Sequence, residues 1–479
     1  MNWPAVGNHH PLRSARNWLV ENQLVWQRAL IITAVFFLSI ALAYVLPRNL
    51  QLVLIALPIG IAGVLILLKW PPVGLLLLIY AAMMLPITIP AVGITMAIVL
   101  GLTSLWVFDM LARERRIVII RSYTITPLVL LVAIAVISFF VGFIPWYPIS
   151  GAPVDARIGG LFIFVVVVCA YLLVAHHIKN IRWLKAMVFL FIGIGAIYVF
   201  ARLIPPARPV LRIYDDGSTG SVFWIWIVSL TLSQGMFNEE LKKWQRGLLL
   251  AITAASFMVT LGISLGWTSG WAPALVATMV ILWVGWPRLA FVVSTVGGAG
   301  VLIMLPQILE RVIYVGDNSY SQVTRLAAWS IVGEIVKVNP ILGLGPANYS
   351  WYTPLFPIMG VWYVRFNSHN NYVDLVAQVG LLGLLAFLWF AWEVGKLGWS
   401  LRTAVPKGSF ARAYTYGALG GLVATMVTAM LGDWVIPYVY NIGVNGLRSG
   451  ILSWLFLGGF VVLDQLYVIQ PRGEADSSD

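Results

Sequence analysis

Residues 363–383 read YVRFNSHNNYVDLVAQVGLLG, a dense polar knot set directly against an apolar run. Arg365, Asn367, Ser368, His369, Asn370, Asn371 and Asp374 stand before and inside the first turns of what should be a helix. So many polar groups at the start of an apolar helix are costly unless they are used. The chain has five histidines. His9 and His10 lie near the N-terminus, and His176 and His177 lie in a short turn between apolar runs. His369 alone stands beside an arginine, a carboxylate and amides. A neutral imidazole at ambient pH can take a proton from a hydroxyl group, which makes His369 a candidate base or substrate contact. It can equally be a packed, hydrogen-bonded structural histidine. A metal-ligand role would need a second histidine or a close Asp/Glu cluster, and the neighbouring sequence has neither. Ser368 or Asn367 can cap the helix that follows.

The segment upstream, TRLAAWSIVGEIVKVNP over 324–340, carries Leu326, Trp329, Ile331, Val332, Ile335, Val336 and Val338 at helical spacing. It predicts an amphipathic helix with Thr324 as N-cap and Pro340 at its end, lying on the membrane surface or against the bundle mouth. Gly343, Gly345 and Pro346 then predict a tight turn that lets backbone approach something closely. As a phosphate loop this turn lacks both a preceding strand and a Gly-Lys-Ser/Thr ending. A helix stop and a ligand contact are both open readings. Trp351, Tyr352, Trp362 and Tyr363 can stack on sugar rings or simply sit at a membrane interface. Asp433, after a later apolar run, either faces a cavity or belongs to a loop surface.

The elements that must position these groups are membrane helices. Of the 479 residues, 60% are hydrophobic and only 10% charged, with a mean hydropathy of +0.91. That is too little charge to cover a water-facing surface. Apolar runs long enough to cross about 30 Å of hydrocarbon predict an all-α, polytopic transmembrane bundle, because lipid leaves no partner for open sheet edges. Fourteen spans are read near 28–46, 49–68, 72–90, 91–110, 125–144, 158–175, 186–204, 218–236, 247–265, 271–286, 289–308, 371–394, 413–431 and 446–466, the third and fourth meeting at Pro90. The organisation is a cytoplasmic tail (1–27), spans one to eleven (28–308), one large extracytoplasmic loop (309–370), spans twelve to fourteen (371–466) and a cytoplasmic C-terminal tail (467–479).

The net charge of +12 does not point to nucleic acid, since the basic residues cluster briefly between apolar runs. With both termini cytoplasmic, all but ten of the 30 basic residues fall on the inside. Nine of those ten are arginines, whose rigid fork of donors suits phosphate, whether of a substrate or of a lipid headgroup. The lone Cys169 excludes an intrachain disulfide. No dinucleotide fingerprint, haem motif or cysteine cluster asks for a cofactor.

This order of features resembles the O-antigen ligase/polymerase superfamily of integral-membrane glycosyltransferases. The resemblance rests on Arg325 and Trp329 in the loop helix, Pro340 followed by Gly343 and Gly345, and His369-Asn370 opening a span with Gly380 and Gly383. It implies glycan transfer at the outer face of the bacterial inner membrane, without metal or nucleotide sugar. The donor would be a glycan on undecaprenyl pyrophosphate. The acceptor would be a glycolipid, another lipid-linked glycan or a protein hydroxyl. It further implies that His369 activates the acceptor hydroxyl and that Arg325 holds the pyrophosphate. A second family arginine falls in the earlier loop beginning at Arg202, where Arg212 is the first choice and Arg208 the second. Around Phe223 the family's Asn-Pro-Asn-like pattern is missing, so the alignment is loosest there.

The residues support the same chemistry on physical grounds. A pyrophosphate leaving group needs fixed positive donors, and the acceptor needs a base within hydrogen-bond reach. Arg212, Arg325 and Arg365 with His369 supply both. Asp374, five residues beyond His369, can orient it through the cap. Asp374, Asn370, Trp329, Asp215 and Asp216 are further candidates for substrate contact or orientation. The rival reading is a transporter or flippase of lipid-linked glycans, which should show inverted repeats and mid-membrane ionisable groups. The spans show neither.

Overall fold

The computed structural model describes Thr33 and residues 48–84, 93–214, 219–308, 317–441 and 443–470. All of the expected first span except Thr33, the Pro90 junction, the N-terminal tail, Asp215 and Asp216 lie outside these. The chain divides at Lys69 into two units. The first contributes α1 (Arg48–Lys69). The second contains α2 (Pro71–Met84), α3 (Ile94–Asp109), α4 (Ile125–Val141), α5 (Val154–His177), α6 (Ile181–Leu203), α7 (Ser221–Phe237) and α8 (Lys243–Phe257). It continues with α9 (Thr268–Gly285), α10 (Pro287–Ile303), α11 (Asp317–Val336), α12 (Asn371–Ala404), α13 (Phe410–Leu431) and α14 (Leu447–Asp464). Among the described residues there is no strand, only one isolated bridge between Ile358 and Trp362.

A helix stands at each expected span from the second to the fourteenth. Eight of the helical stretches are long and apolar enough to cross a membrane, while α4, α7 and α10 are apolar but shorter. Helices that are hydrophobic all round belong in the interior, and α7 and α14 bury nearly every residue. Glycines let the backbones close in. A Cβ on Gly417 would stand 2.9 Å from the Ser229 carbonyl, and one on Gly458 2.9 Å from that of Tyr171.

The connections that matter for function gather at one end of the second unit. Asn348 holds the α4–α5 connection through Gly142 (3.0 Å) and the Ala152 N–H (2.7 Å). Arg157 bonds the carbonyls of Ala152 and Gly142 at 2.6 and 2.8 Å. Tyr147 reaches the Ile335 carbonyl at the C-terminal end of α11 at 2.8 Å. A small apolar core of Val332, Ile335, Val336, Leu344, Tyr349, Tyr352, Ala377 and Tyr438 fills the space beneath. Helix α11 therefore packs down on the bundle through one face, leaving Val323 and Leu326 exposed.

Two local expectations are corrected. Helix α11 starts at Asp317, so Thr324 lies inside it rather than capping it. The stretch 317–323 holds no proline or glycine to stop helix growth. The helix ends at Val336, four residues before Pro340.

The Gly-x-Gly turn has a structural partner. Helix α12 breaks at Gly380 (φ 71°), and the segment after Pro340 enters the break. Leu344 and Gly345 donate to the carbonyls of Ala377 and Gln378 at 2.9 and 3.0 Å, and Leu381 donates to Pro340 at 2.8 Å. Gly343 and Gly345 have φ of 67° and 93°, conformations that favour glycine. A Cβ on Gly380 would sit 2.0 Å from the Ile341 carbonyl. The close approach predicted for this turn is thus to the backbone of α12. Irregular backbone at such a break is tolerated because protein groups satisfy it.

Candidate active site

His369 sits in the last residues before α12, in the left-handed region with φ 50°. Histidine is among the few non-glycine residues enriched there, and its neighbours hold it in place. Ser368 is fully buried. Its N–H donates to the Tyr349 hydroxyl at 3.0 Å, its hydroxyl donates to Asp374 at 2.7 Å, and its carbonyl accepts from the Trp329 indole at 2.7 Å. On the other side Asn370 caps α12, accepting from the N–H groups of Tyr372 (2.9 Å) and Val373 (3.4 Å). The cap is therefore Asn370, and neither Ser368 nor Asn367. Asparagine at this position satisfies donors that the helix start leaves orphaned.

His369 and Arg325 line one cavity of about 280 Å³, together with Thr324, Ala328, Ile358, Phe366 and Asn367. Arg325 comes from the third turn of α11 and donates to the Leu431 carbonyl at 3.3 Å. Its Nε and the Asn367 Nδ2 are buried without a protein partner. A guanidinium and an imidazole lining one cavity make a place for an oxygen-rich, anionic ligand. Burial lowers the pKa of both groups, and for His369 the nearby Asp433 opposes that effect while Arg325 reinforces it. The imidazole is thereby held toward its neutral form.

The other sequence candidates have distinct places. Asp374 is buried, 1% exposed, with Oδ1 accepting from Tyr349 at 2.5 Å and from Ser368, while Oδ2 has no protein partner. It acts on the residue preceding His369 and touches the imidazole nowhere in this network. Trp329 is committed to the Ser368 carbonyl, and Asn370 to the cap. Arg365 is exposed and lies 3.4 Å over the Trp351 ring, covering a face offered for a sugar. Tyr352 is buried in the core beneath the loop, which removes it as a sugar platform, whereas Trp362 and Tyr363 are exposed. Arg208 and Arg212 lie exposed on the 3-10 turn Pro205–Ile213, which contributes no residue to the Arg325–His369 cavity. The segment leaving that turn packs at Gly220 against Trp434, next to Asp433.

Sequence reasoning named Asn371 and Asp433 without giving either a partner, and it missed Tyr349, Tyr438 and Asn441. Asn371 is buried and fastens the α13–α14 connection, bonding the Ile436 carbonyl (2.7 Å) and the Val435 N–H (3.0 Å). Tyr349 stacks on Tyr438 at 4.9 Å, and Tyr438 donates to Ser350 at 2.8 Å. Asp433 is 1% exposed and accepts from the Tyr438 N–H at 2.9 Å and from the Asn441 amide. Asn441 also stands 3.4 Å from His369 Nδ1. An acid directly after Gly432, closing an apolar run, was the available sign, and nothing local to Asn441 marks it.

A second hollow lies along α11. It is apolar, about 470 Å³, and runs past Trp329, Val332, Gly333 and Val336 to Tyr372, Val376 and Leu384 of α12, with Lys337 at its edge. Trp329 lines it and also bonds the Ser368 carbonyl beside His369.

Residues 246–388 match the O-antigen ligase family. The match begins in α8, takes in α11 and every residue lining the Arg325–His369 cavity, and ends in α12. It agrees with the resemblance carried by the motifs. No curated protein matches the chain.

Proposed function

We propose that this protein is a membrane glycosyltransferase of the O-antigen ligase type, moving or polymerising a glycan from undecaprenyl pyrophosphate onto an acceptor hydroxyl at the outer face of the cytoplasmic membrane. The observation that carries the reading is the cavity that Arg325 and His369 line together. At about 280 Å³ it is near the low end of ligand pockets. It suits the reacting groups, with the rest of both substrates outside.

In this reading the acceptor oxygen attacks the anomeric carbon, and the bond from that carbon to the pyrophosphate oxygen breaks. The hydroxyl proton passes to His369, and undecaprenyl pyrophosphate departs with the electron pair. Arg325 faces the charge that grows on the leaving group, where a desolvated fixed cation is most effective. Asn367 adds a neutral donor. Arg365, Arg212 and Arg208 are reserved for the outer phosphate and sugar contacts. Asp374, Trp329 and Asn370 act by holding the segment that carries His369. The apolar hollow beside α11 fits the isoprenoid part of the donor. No metal or cofactor has a step.

Purified protein supplied with an undecaprenyl-pyrophosphate-linked repeat tests this. Product length and undecaprenyl pyrophosphate release are followed for wild type, His369→Ala and Arg325→Ala, with and without added acceptor. Transfer in the wild type that falls at least a hundredfold in both variants supports the reading. Chain growth without another acceptor identifies a polymerase, and transfer only to an added glycolipid or protein identifies a ligase. Full activity in either variant refutes the assigned site. Movement of the lipid-linked glycan across vesicles without transfer replaces the reading by transport.

A further inference from the structure

One ring nitrogen of His369 has a partner outside the Arg325 cavity. Nδ1 faces the side-chain amide of Asn441 at 3.4 Å, and that amide also meets Asp433, the buried acid of the α13–α14 connection. With Nδ1 engaged there, Nε2 is the nitrogen left for a ligand. One amide group therefore touches both a ring nitrogen and a carboxyl, and its two ends have opposite character: the oxygen only accepts and the nitrogen only donates.

Two arrangements satisfy this triplet. If Asp433 is ionised, it accepts an N–H from Asn441, the second N–H of the same amide points at Nδ1, and the ring proton must sit on Nε2. If Asp433 is protonated, its O–H donates to an Asn441 oxygen turned to face it. That oxygen also accepts from Nδ1–H, and Nε2 carries the lone pair. Resting on the glycosyltransferase reading, we propose that Asp433 and Asn441 are positioning residues that set the tautomer of His369: the protonated acid makes Nε2 the base, and the ionised acid makes Nε2–H a donor.

The surroundings suit such a relay. Burial raises the pKa of Asp433, while hydrogen bonds from the Tyr438 N–H and Asn441 and the nearby His369 oppose that rise. Among the described residues, the charged groups around the triplet are Arg325 of α11, bonded to the Leu431 carbonyl, and Asp374 of α12, whose carboxyl interacts with Asp433. Asn371 fastens the connection to the start of α12, so acid and imidazole belong to one bonded unit. The base-competent form is then lost as pH rises through the pKa of Asp433, giving an alkaline limb that no ionisation of the imidazole itself would produce.

The test uses full-length protein in detergent with ¹⁵N-labelled histidine, read by nitrogen NMR across pH. The His369 signals are identified by their disappearance in His369→Gln. In wild type the neutral ring should pass from the Nδ1–H to the Nε2–H tautomer as pH rises. In Asp433→Asn the amide donates to Asn441 at every pH, so the Nδ1–H form should persist, and whatever transfer the variant shows should lack the alkaline limb. In Asn441→Ala the two tautomers should become independent of Asp433. Identical tautomer populations in wild type and Asp433→Asn at all pH values would overturn the proposal. The NMR result stands apart from catalysis: if His369→Ala retains transfer while the tautomer shift is seen, the functional reading fails and the relay remains.

Discussion

Replacing Tyr349 by Phe removes one oxygen and leaves the ring, so the effect isolates two hydrogen bonds. That oxygen donates to Asp374 at 2.5 Å and accepts from the Ser368 N–H at 3.0 Å, with all three residues buried. The variant strands a buried N–H and takes a donor from a buried carboxyl that already has one unpartnered oxygen. Leaving a buried polar group unsatisfied costs about 1–3 kcal/mol. The two losses share a network and do not simply add, so about 2–5 kcal/mol is expected. Burial, and next the Asp374 charge, holds the Tyr349 hydroxyl well above its ordinary pKa, so it remains protonated and the comparison holds at any working pH. Tyr147→Phe is the control. It loses one bond, to the Ile335 carbonyl, in the same loop assembly, for about 0.5–1.5 kcal/mol, and does not touch the His369 segment. Thermal unfolding in detergent should order the proteins wild type, Tyr147→Phe, Tyr349→Phe. Glycan transfer measured well below unfolding should fall on the order of a hundredfold only in Tyr349→Phe, as for misplacement of a catalytic group by about 1 Å. If the two variants unfold together and both transfer at the wild-type rate, the claim that Tyr349 positions His369 through Ser368 is wrong.

Other outcomes follow from the same geometry. Gly380→Ala places a methyl group against the Ile341 carbonyl at a positive φ and should lower the unfolding temperature by several degrees, since backbone cannot yield as a side chain would. Gly333→Leu should do the opposite for stability, because helix α11 has open space at Gly333 and leucine is the better helix former. The new side chain occupies the apolar hollow, so KM for a long-chain lipid donor should rise at least tenfold while a short-chain donor is little affected; equal effects on both would detach the hollow from lipid binding. The acid limb of the transfer rate should have its midpoint below about 6.5, the ordinary histidine value, because burial lowers the His369 pKa. By linkage, His369 contributes stability that is complete above the unfolded-state pKa and lost as pH falls through the lower folded-state one. A midpoint above 7 in a pH–rate series would contradict the burial argument.

The helices were legible because apolar runs of membrane length admit one main solution, and the structure places helix at every such run it describes. The pairing of Arg325 with His369 was reached through motif order, although 44 positions separate them. What composition and spacing could not express was the use of single polar side chains across elements. Asn441 and Asn371 are ordinary asparagines until the α13–α14 connection folds back on α12. Tyr352 and Tyr363 look alike in sequence, yet one is buried and the other exposed. The glycine turn was recognised as a close approach, but its partner was hidden, because a glycine such as Gly380 inside a membrane helix is commonplace and does not announce a break.

That break has a bearing on how the protein is made. The carbonyls that Leu344 and Gly345 require belong to Ala377 and Gln378, and Leu381 in turn requires Pro340. During synthesis the glycine turn leaves the ribosome before its partners exist, and it stays open until the first half of α12 follows. Asp433 and Asn441 come later still. His369 is thus translated early and surrounded late: it acquires its Asn441 contact only after α13 and the connection beyond it have been produced. A chain truncated before Asp433 would carry the arginine and the histidine without the amide and acid beside the ring, which ties the finished surroundings of His369 to synthesis of the α13–α14 connection.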